Sequence, residues 1–201
     1  MNNLNKVILT DVDGVLLNWE YAFKVWMEQH GYKRDVAMTE YPTEYDVSKK
    51  YGIPYEKSRE LIRFFNESAA IGFLPPLRDA MYYVDLLHRK HGYVFHAITS
   101  LSSDPSAGKL REENLSKLFG ERTFESVLCI DTGADKDEAL APYKDSGLFW
   151  IEDKIVNAEL GISLGLSSIL IEHGHNMNYE NPDIPVVKGW KEIYDLIENN
   201  C

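Results

Sequence analysis

Apolar residues recur along the chain in two rhythms. Five short β-rich runs stand out, at residues 7–10, 93–99, 126–130, 148–151 and 168–171. None alternates with polar residues, which fits strands buried on both faces of a parallel sheet. Between them the period turns helical. "PPLRDAMYYVDLLHRKHG" sets Leu77, Met81, Val84 and Leu87 on one stripe between a proline and Gly92, and so predicts an amphipathic helix. "DKIVNAELGISLG" does the same with Ile155, Ala158, Leu160 and Ile162, ending near Gly165. "KDEALAPYKD" predicts a shorter helix, and "KGWKEIYDLIENN" one with Trp190, Ile193, Tyr194 and Ile197 on a single face. Strand and helix in alternation predict a doubly wound α/β sheet with right-handed crossovers. Such sheets bind ligands beyond the carboxyl ends of their strands.

One interval breaks the alternation. From residue 18 to 73 no strand pattern occurs, only the helical stretches "WEYAFKVWMEQHG" and "PYEKSRELIRFFNESAA" around a polar middle. That is too long for a plain crossover, and it predicts a small helical insertion after the first strand. The expected division is therefore a core of residues 1–17 and 74–201 and a helical cap of residues 18–73. The insert holds half of the chain's 4 Trp, 12 Tyr and 8 Phe, Tyr41 among them. Most should form the cap's own core, while Phe23, Tyr45 or Phe65 are candidates to face a ligand.

The predicted strand ends carry the chemistry. The first runs into "DVDG", where side chains two apart point the same way, so Asp11 and Asp13 can converge. Two crowded carboxylates call for a cation, or for a division between a charged nucleophile and a protonated acid. Taken alone, the stretch reads equally well as a surface turn. A calcium-binding loop is excluded, because Gly14 falls fourth rather than sixth and Ala22 stands where a glutamate belongs. The second run ends in Thr99 and Ser100, donors suited to phosphate oxygens. Lys136 precedes a helix after the third, and "WIEDKIVN" brings Glu152 and Asp153 to the end of the fourth, with Asn157 one turn on. His173 and His175 follow the fifth and read first as loop residues.

Composition narrows the function classes. With 201 residues, 44% of them hydrophobic, the chain can fill one core of ordinary size. A formal net charge of -11 argues against a long nucleic acid as partner, which would want a basic track. Cys129 and Cys201 form no metal or disulfide pattern. With neither a membrane-length apolar run nor a signal-peptide pattern, the expectation is a reduced, cytoplasmic protein with no membrane partner.

The ordered set "DVDGV", "AITS", Lys136 and "WIEDKIVN" resembles the four motifs of the haloacid dehalogenase superfamily of phosphohydrolases. The resemblance covers nearly all of the chain outside residues 18–73, and it implies a Rossmann-like core with a small helical cap. It implies Asp11 as nucleophile forming an aspartyl-phosphate, and Asp13 as general acid and then base. Mg²⁺ would be held by Asp11, the carbonyl of Asp13 and Asp153, with Glu152 beside it. Thr99, Ser100 and Lys136 would bind the phosphoryl, and Gly14 would turn the chain tightly beside it. The Glu152-Asp153 pair is a mild departure from the superfamily's usual last motif. "DVDGVLLNWEYAF", the "TS" pair and "VKGWKEI" are similar to 5′-nucleotidases acting on deoxyribonucleoside monophosphates. The expected substrate is thus a small phosphomonoester, a nucleoside monophosphate or a sugar phosphate. A sugar-phosphate phosphatase, a phosphomutase and a non-catalytic phosphate-binding module are the alternatives.

Overall fold

Six strands form one parallel sheet in the order β3-β2-β1-β4-β5-β6. They are β1 (Val7–Thr10), β2 (Val94–Ser100), β3 (Phe124–Ile130), β4 (Phe149–Glu152), β5 (Ser167–Ile171) and β6 (Val186–Val187) in a computed structural model that describes residues 6–34 and 44–199. The chain builds outward from β1 on one side to β3, then returns to the other side for β4, so β1 and β4 are neighbours at the reversal. The five predicted strands are present, β1 with the expected bounds and the others with ends shifted by one or two residues. β1 is buried throughout, as its unbroken apolar run requires. β3 is an edge strand and differs from the expectation: Glu125, Ser126 and Leu128 face solvent. The two-residue β6 is too short to leave a hydrophobic pattern.

Between β3 and β4 lies the short α6 (Asp137–Leu140), and helices α7 (Ile155–Ser163) and α8 (Trp190–Asn199) follow β4 and β6. α4 (Ala80–His91) starts five residues later than its double proline predicts. Residues 75–77 instead pair with the loop after β1: Asn18 N–H donates to the Pro75 carbonyl at 2.9 Å, and Leu77 N–H to that of Leu16 at 2.8 Å. Arg78 then turns the chain with a φ of 42°. The buried stripe of α4 is Ala80, Val84 and Leu87, and Met81 points outward. α5 (Pro105–Phe119), capped by Asp104 and opened by a proline, belongs to no helix predicted above.

The insert contributes α1 (Trp19–Gln29), α2 (Val47–Tyr51), α3 (Tyr55–Asn66) and a 3-10 turn (Ala69–Phe73). Tyr41 and Cys201 lie outside the described residues. The aromatic residues do not form an isolated core. Phe23, Trp26 and Phe65 belong to one continuous cluster with Ile8, Val12 and Leu17. Asn66 fastens the two parts: its side-chain oxygen accepts from the Trp19 indole at 2.9 Å, and its amide donates to the Leu101 carbonyl at 2.9 Å.

α7 lies closely on β4 and β5 because it carries Gly161. A Cβ there would run into Ser168 Oγ and approach Trp150 Cδ1 to 2.6 Å. Gly161→Ala is therefore expected to destabilise the fold by about 1–3 kcal/mol through overpacking, although alanine is the better helix former. Urea unfolding reads the outcome, and an unchanged midpoint would show that the approach is not tight.

Candidate active site

The carboxyl ends of β1, β2 and β4 place Asp11, Asp13, Gly14, Thr99, Ser100 and Asp153 around one cavity of about 380 Å³, whereas Lys136 and Glu152 do not line it. β1 delivers Asp11, whose backbone N–H bonds the Ile151 carbonyl of β4 at 2.8 Å. Asp11 Oδ1 accepts from the Val12 N–H at 2.7 Å and lies 2.9 Å from Lys136 Nζ. Lys136, 1% exposed, is wholly engaged: it also donates to Glu152 Oε1 at 2.7 Å and lies 5.0 Å over the Trp150 ring.

Glu152, expected beside the metal, has another task. Lys136 and the Asn157 amide (2.6 Å) occupy Oε1, and the N–H groups of Asp153 and Lys154, both at 2.7 Å, occupy Oε2. Four donors fill its acceptor capacity. Glu152 thus braces Lys136, and Asn157 braces Glu152. Asp153 is the opposite case: it is buried, and its Oδ1 has no partner. Ligand atoms of Asp11, Glu152 and Asp153 lie within 4.8 Å of one another. With Glu152 saturated, Asp11 and Asp153 are left facing an orphaned acceptor, and a hard divalent cation fits that donor set.

The electrostatics agree. Burial pushes the Asp11 carboxyl up to about 6, with Lys136 opposing and the charge of Glu152 adding. Burial, then Glu152 and Asp11, raise Asp153 well above the carboxylate range. Burial would raise Glu152 too, but the ammonium of Lys136 and the donors around it bring it below its ordinary value.

Thr99 is fully buried, lines the cavity and has no partner for its Oγ1, so its hydroxyl is available to a ligand. The Ser100 hydroxyl is spent on the Ala134 carbonyl at 3.0 Å. Gly14 has a φ of 80°, and a Cβ there would strike the Asp153 carboxylate, so glycine is required on both counts. Phe23 and Tyr45 line the cavity, whereas Phe65 is fully buried away from it.

Other contacts lie beyond the sequence reading. Asp13 lines the cavity, but its carboxylate meets Arg111 of α5, with Nη1 to Oδ1 at 2.6 Å and Nη2 to Oδ2 at 3.0 Å. The two histidines after β5 line the cavity and each lies against main chain. His173 Nε2 lies 2.7 Å from the Gly14 carbonyl and His175 Nε2 2.9 Å from that of Asp153. Their rings stack at 5.7 Å, and burial holds both below the ordinary histidine value. Asn176 also donates to the Asp153 carbonyl, at 2.7 Å.

The chain matches no family model. It is 28% identical over 144 residues to an uncharacterised 32.4 kDa protein in the Gp30-rIII intergenic region of Enterobacteria phage T4, covering 71% of this chain and 51% of that one. The chain thus spans about half the length of the curated relative it matches. Solved structures share the fold. A haloacid dehalogenase-like hydrolase from Streptococcus pneumoniae superposes with a TM-score of 0.65 at 15% identity, over 96% of this chain and 98% of that one. CbbY from Rhodobacter sphaeroides, solved in complex with phosphate, gives 0.58 at 17%, over 94% and 96%. The architecture is that of haloacid dehalogenase-like proteins, an α/β Rossmann-like core. No helix among the described residues is long and apolar enough to cross a membrane.

A cation at Asp11 and Asp153 should bind with a definite pH dependence. A raised folded-state value means that unliganded protein loses stability as pH rises from about 4 through about 6, where Asp11 ionises. Ionised Asp11 is the form that binds a cation. The rise in Tm on adding a divalent cation is therefore expected to be small at pH 5 and to grow as pH rises, through the ionisation of Asp11 and then of Asp153, whose carboxyl burial also raises. Thermal scans with Mg²⁺ against chelator test this, and Asp153→Asn should abolish the shift.

Proposed function

We propose that the chain is a Mg²⁺-dependent phosphatase of small phosphomonoesters, acting through an aspartyl-phosphate on Asp11. The observation that carries this reading is the convergence on one cavity of Asp11, Asp153 with its orphaned Oδ1 and Thr99 with its orphaned hydroxyl, while the buried Lys136 is paired with Asp11 outside the cavity lining. Asp11 Oδ1 is held by Lys136 and the Val12 N–H, which leaves Oδ2 to attack phosphorus. As that bond forms, the bond from phosphorus to the ester oxygen breaks, and the leaving oxygen takes a proton from Asp13. Water then attacks the phosphorus of the aspartyl-phosphate and gives a proton to Asp13. The phosphorus–oxygen bond to Asp11 breaks and restores the carboxylate. Lys136 and Thr99 bear on the charge spread over the phosphoryl oxygens. Mg²⁺, held by Asp11, Asp153 and the Asp13 carbonyl, would supply the remaining positive charge.

Residues of the helical insert line much of the cavity, where the insert would exclude bulk water and select the substrate. Trp19, Tyr45 and Tyr55 line that part, the two tyrosines exposed, whereas Phe23 and Tyr51 are buried. Flat aromatic walls suit a nucleobase, which supports a nucleoside 5′-monophosphate, a deoxyribonucleotide among them. Glu20, Lys50 and Ser58 on the same walls favour a second reading, a sugar phosphate rich in hydroxyls.

Phosphate release from deoxyribonucleotides and sugar phosphates, with Mg²⁺ and with chelator, tests the proposal. Turnover is expected only with metal, and Asp11→Asn should lower it by more than about 1,000-fold. A panel that stays silent while phosphate still binds would leave a binding module. Sugar phosphates turned over as fast as deoxyribonucleotides would remove the nucleotide preference.

A further inference from the structure

We propose that Arg111 is a positioning residue for Asp13, whose guanidinium fork fixes the orientation of that carboxylate toward the cavity. The inference rests on the phosphatase reading above.

Arg111 lies on the buried stripe of α5, with Ala107 one turn before and Asn114 and Leu115 one turn after, and it is 0% exposed. An apolar side chain would serve helix packing at such a place. Instead the stripe carries a guanidinium whose Nε is buried without a partner, and whose two terminal nitrogens both go to Asp13. Buried ion pairs add little net stability compared with apolar packing, so packing alone does not account for this one. Its geometry does. Two parallel N–H to oxygen bonds fix a carboxylate in rotation as well as in place, which a point charge cannot do. Asp13 stays partly open to the cavity, its side chain 20% exposed. Each of its oxygens keeps a second lone pair beyond the one that Arg111 engages. The fork thus holds from behind the group that must meet the leaving oxygen and then the attacking water. Misplacement of such a group by about 1 Å costs about 100-fold in rate.

Arg111→Lys keeps the charge and removes the fork. Phosphomonoester hydrolysis with Mg²⁺ by this variant should show kcat lowered about 10- to 100-fold and KM within about threefold of wild type. The same change made on Asp13→Asn should alter the remaining rate by less than about twofold, because the two residues act as a unit. A wild-type kcat for Arg111→Lys, or losses that multiply in full in the double variant, would overturn the proposal. Nitrogen-15 spectra of the arginine side chains give a readout independent of turnover and of how well the lysine variant folds. Arg111 of the wild type should show separate Nη signals, through hindered rotation, that merge in Asp13→Asn. A single averaged signal in the wild type would refute the clamp. Wild-type protein silent toward every phosphomonoester would sink the phosphatase reading, while the spectra still report on the fork.

Discussion

A fully buried ammonium has to be surrounded by anions, and Lys136 has two of them, Asp11 from β1 and Glu152 from β4. Isolated in a dry interior it would shed its proton; burial pulls in that direction, and the two carboxylates outweigh it and raise its affinity for the proton. The triad spans the neighbouring strands β1 and β4 at the point where the sheet reverses its order. There the loops diverge and a crevice opens. Everything else at this edge follows from the charge that the triad leaves over. Glu152 is saturated by Lys136, Asn157 and two backbone N–H groups, so the excess negative charge falls on Asp11 and Asp153. Those two carboxyls are the ones pushed above the ordinary range. An incoming cation would relieve both.

The loops that carry these groups are held through their own backbones. His173 lies against the carbonyl of Gly14, and His175 and Asn176 against that of Asp153. Asn66 reaches from α3 to Leu101, two residues beyond Thr99. The helical insert is therefore tied to the loop beside the orphaned hydroxyl, and a movement of α3 would be felt there first. The shared hydrophobic cluster around Phe65 keeps the insert from being an independent unit in packing, even though it interrupts the alternation of strands in sequence.

What the sequence could disclose divides along a physical line. Asp11, Lys136 and Asp153 were legible because each ends or follows an apolar run, and a sheet brings successive strand ends to one edge. Local patterns of this kind persist in one dimension. Arg111 was not legible, because its partner is 98 residues away and its helix, "PSAGKLREENLSKLF", carries a charge on its buried stripe. Periodicity reads such a residue as solvated. The start of α4 differs from the expectation for a similar reason: two prolines signal a helix start, but a pairing with residues 16–18, visible only in three dimensions, claims the segment first. His173 and His175 read as loop residues and do lie in a loop, yet their importance comes from which carbonyls they meet.

Two cations of different kinds serve two carboxylates of one short loop, and the difference matches the demands on each. Asp11 is held on one oxygen by Lys136, a point charge shared with Glu152, and the other oxygen stays free of that contact. On the proposed phosphatase reading the free oxygen, Oδ2, is the one that would bond to phosphorus, while Oδ1 keeps its partners. Asp13 is held on both oxygens by a planar fork, a geometry that opposes both rotation and displacement. On the same reading, a group that would give a proton to one oxygen and later take one from another needs a fixed place more than a free one. The same loop thus carries one carboxylate held on a single oxygen and one held on both, a difference that matches the roles proposed for Asp11 and Asp13.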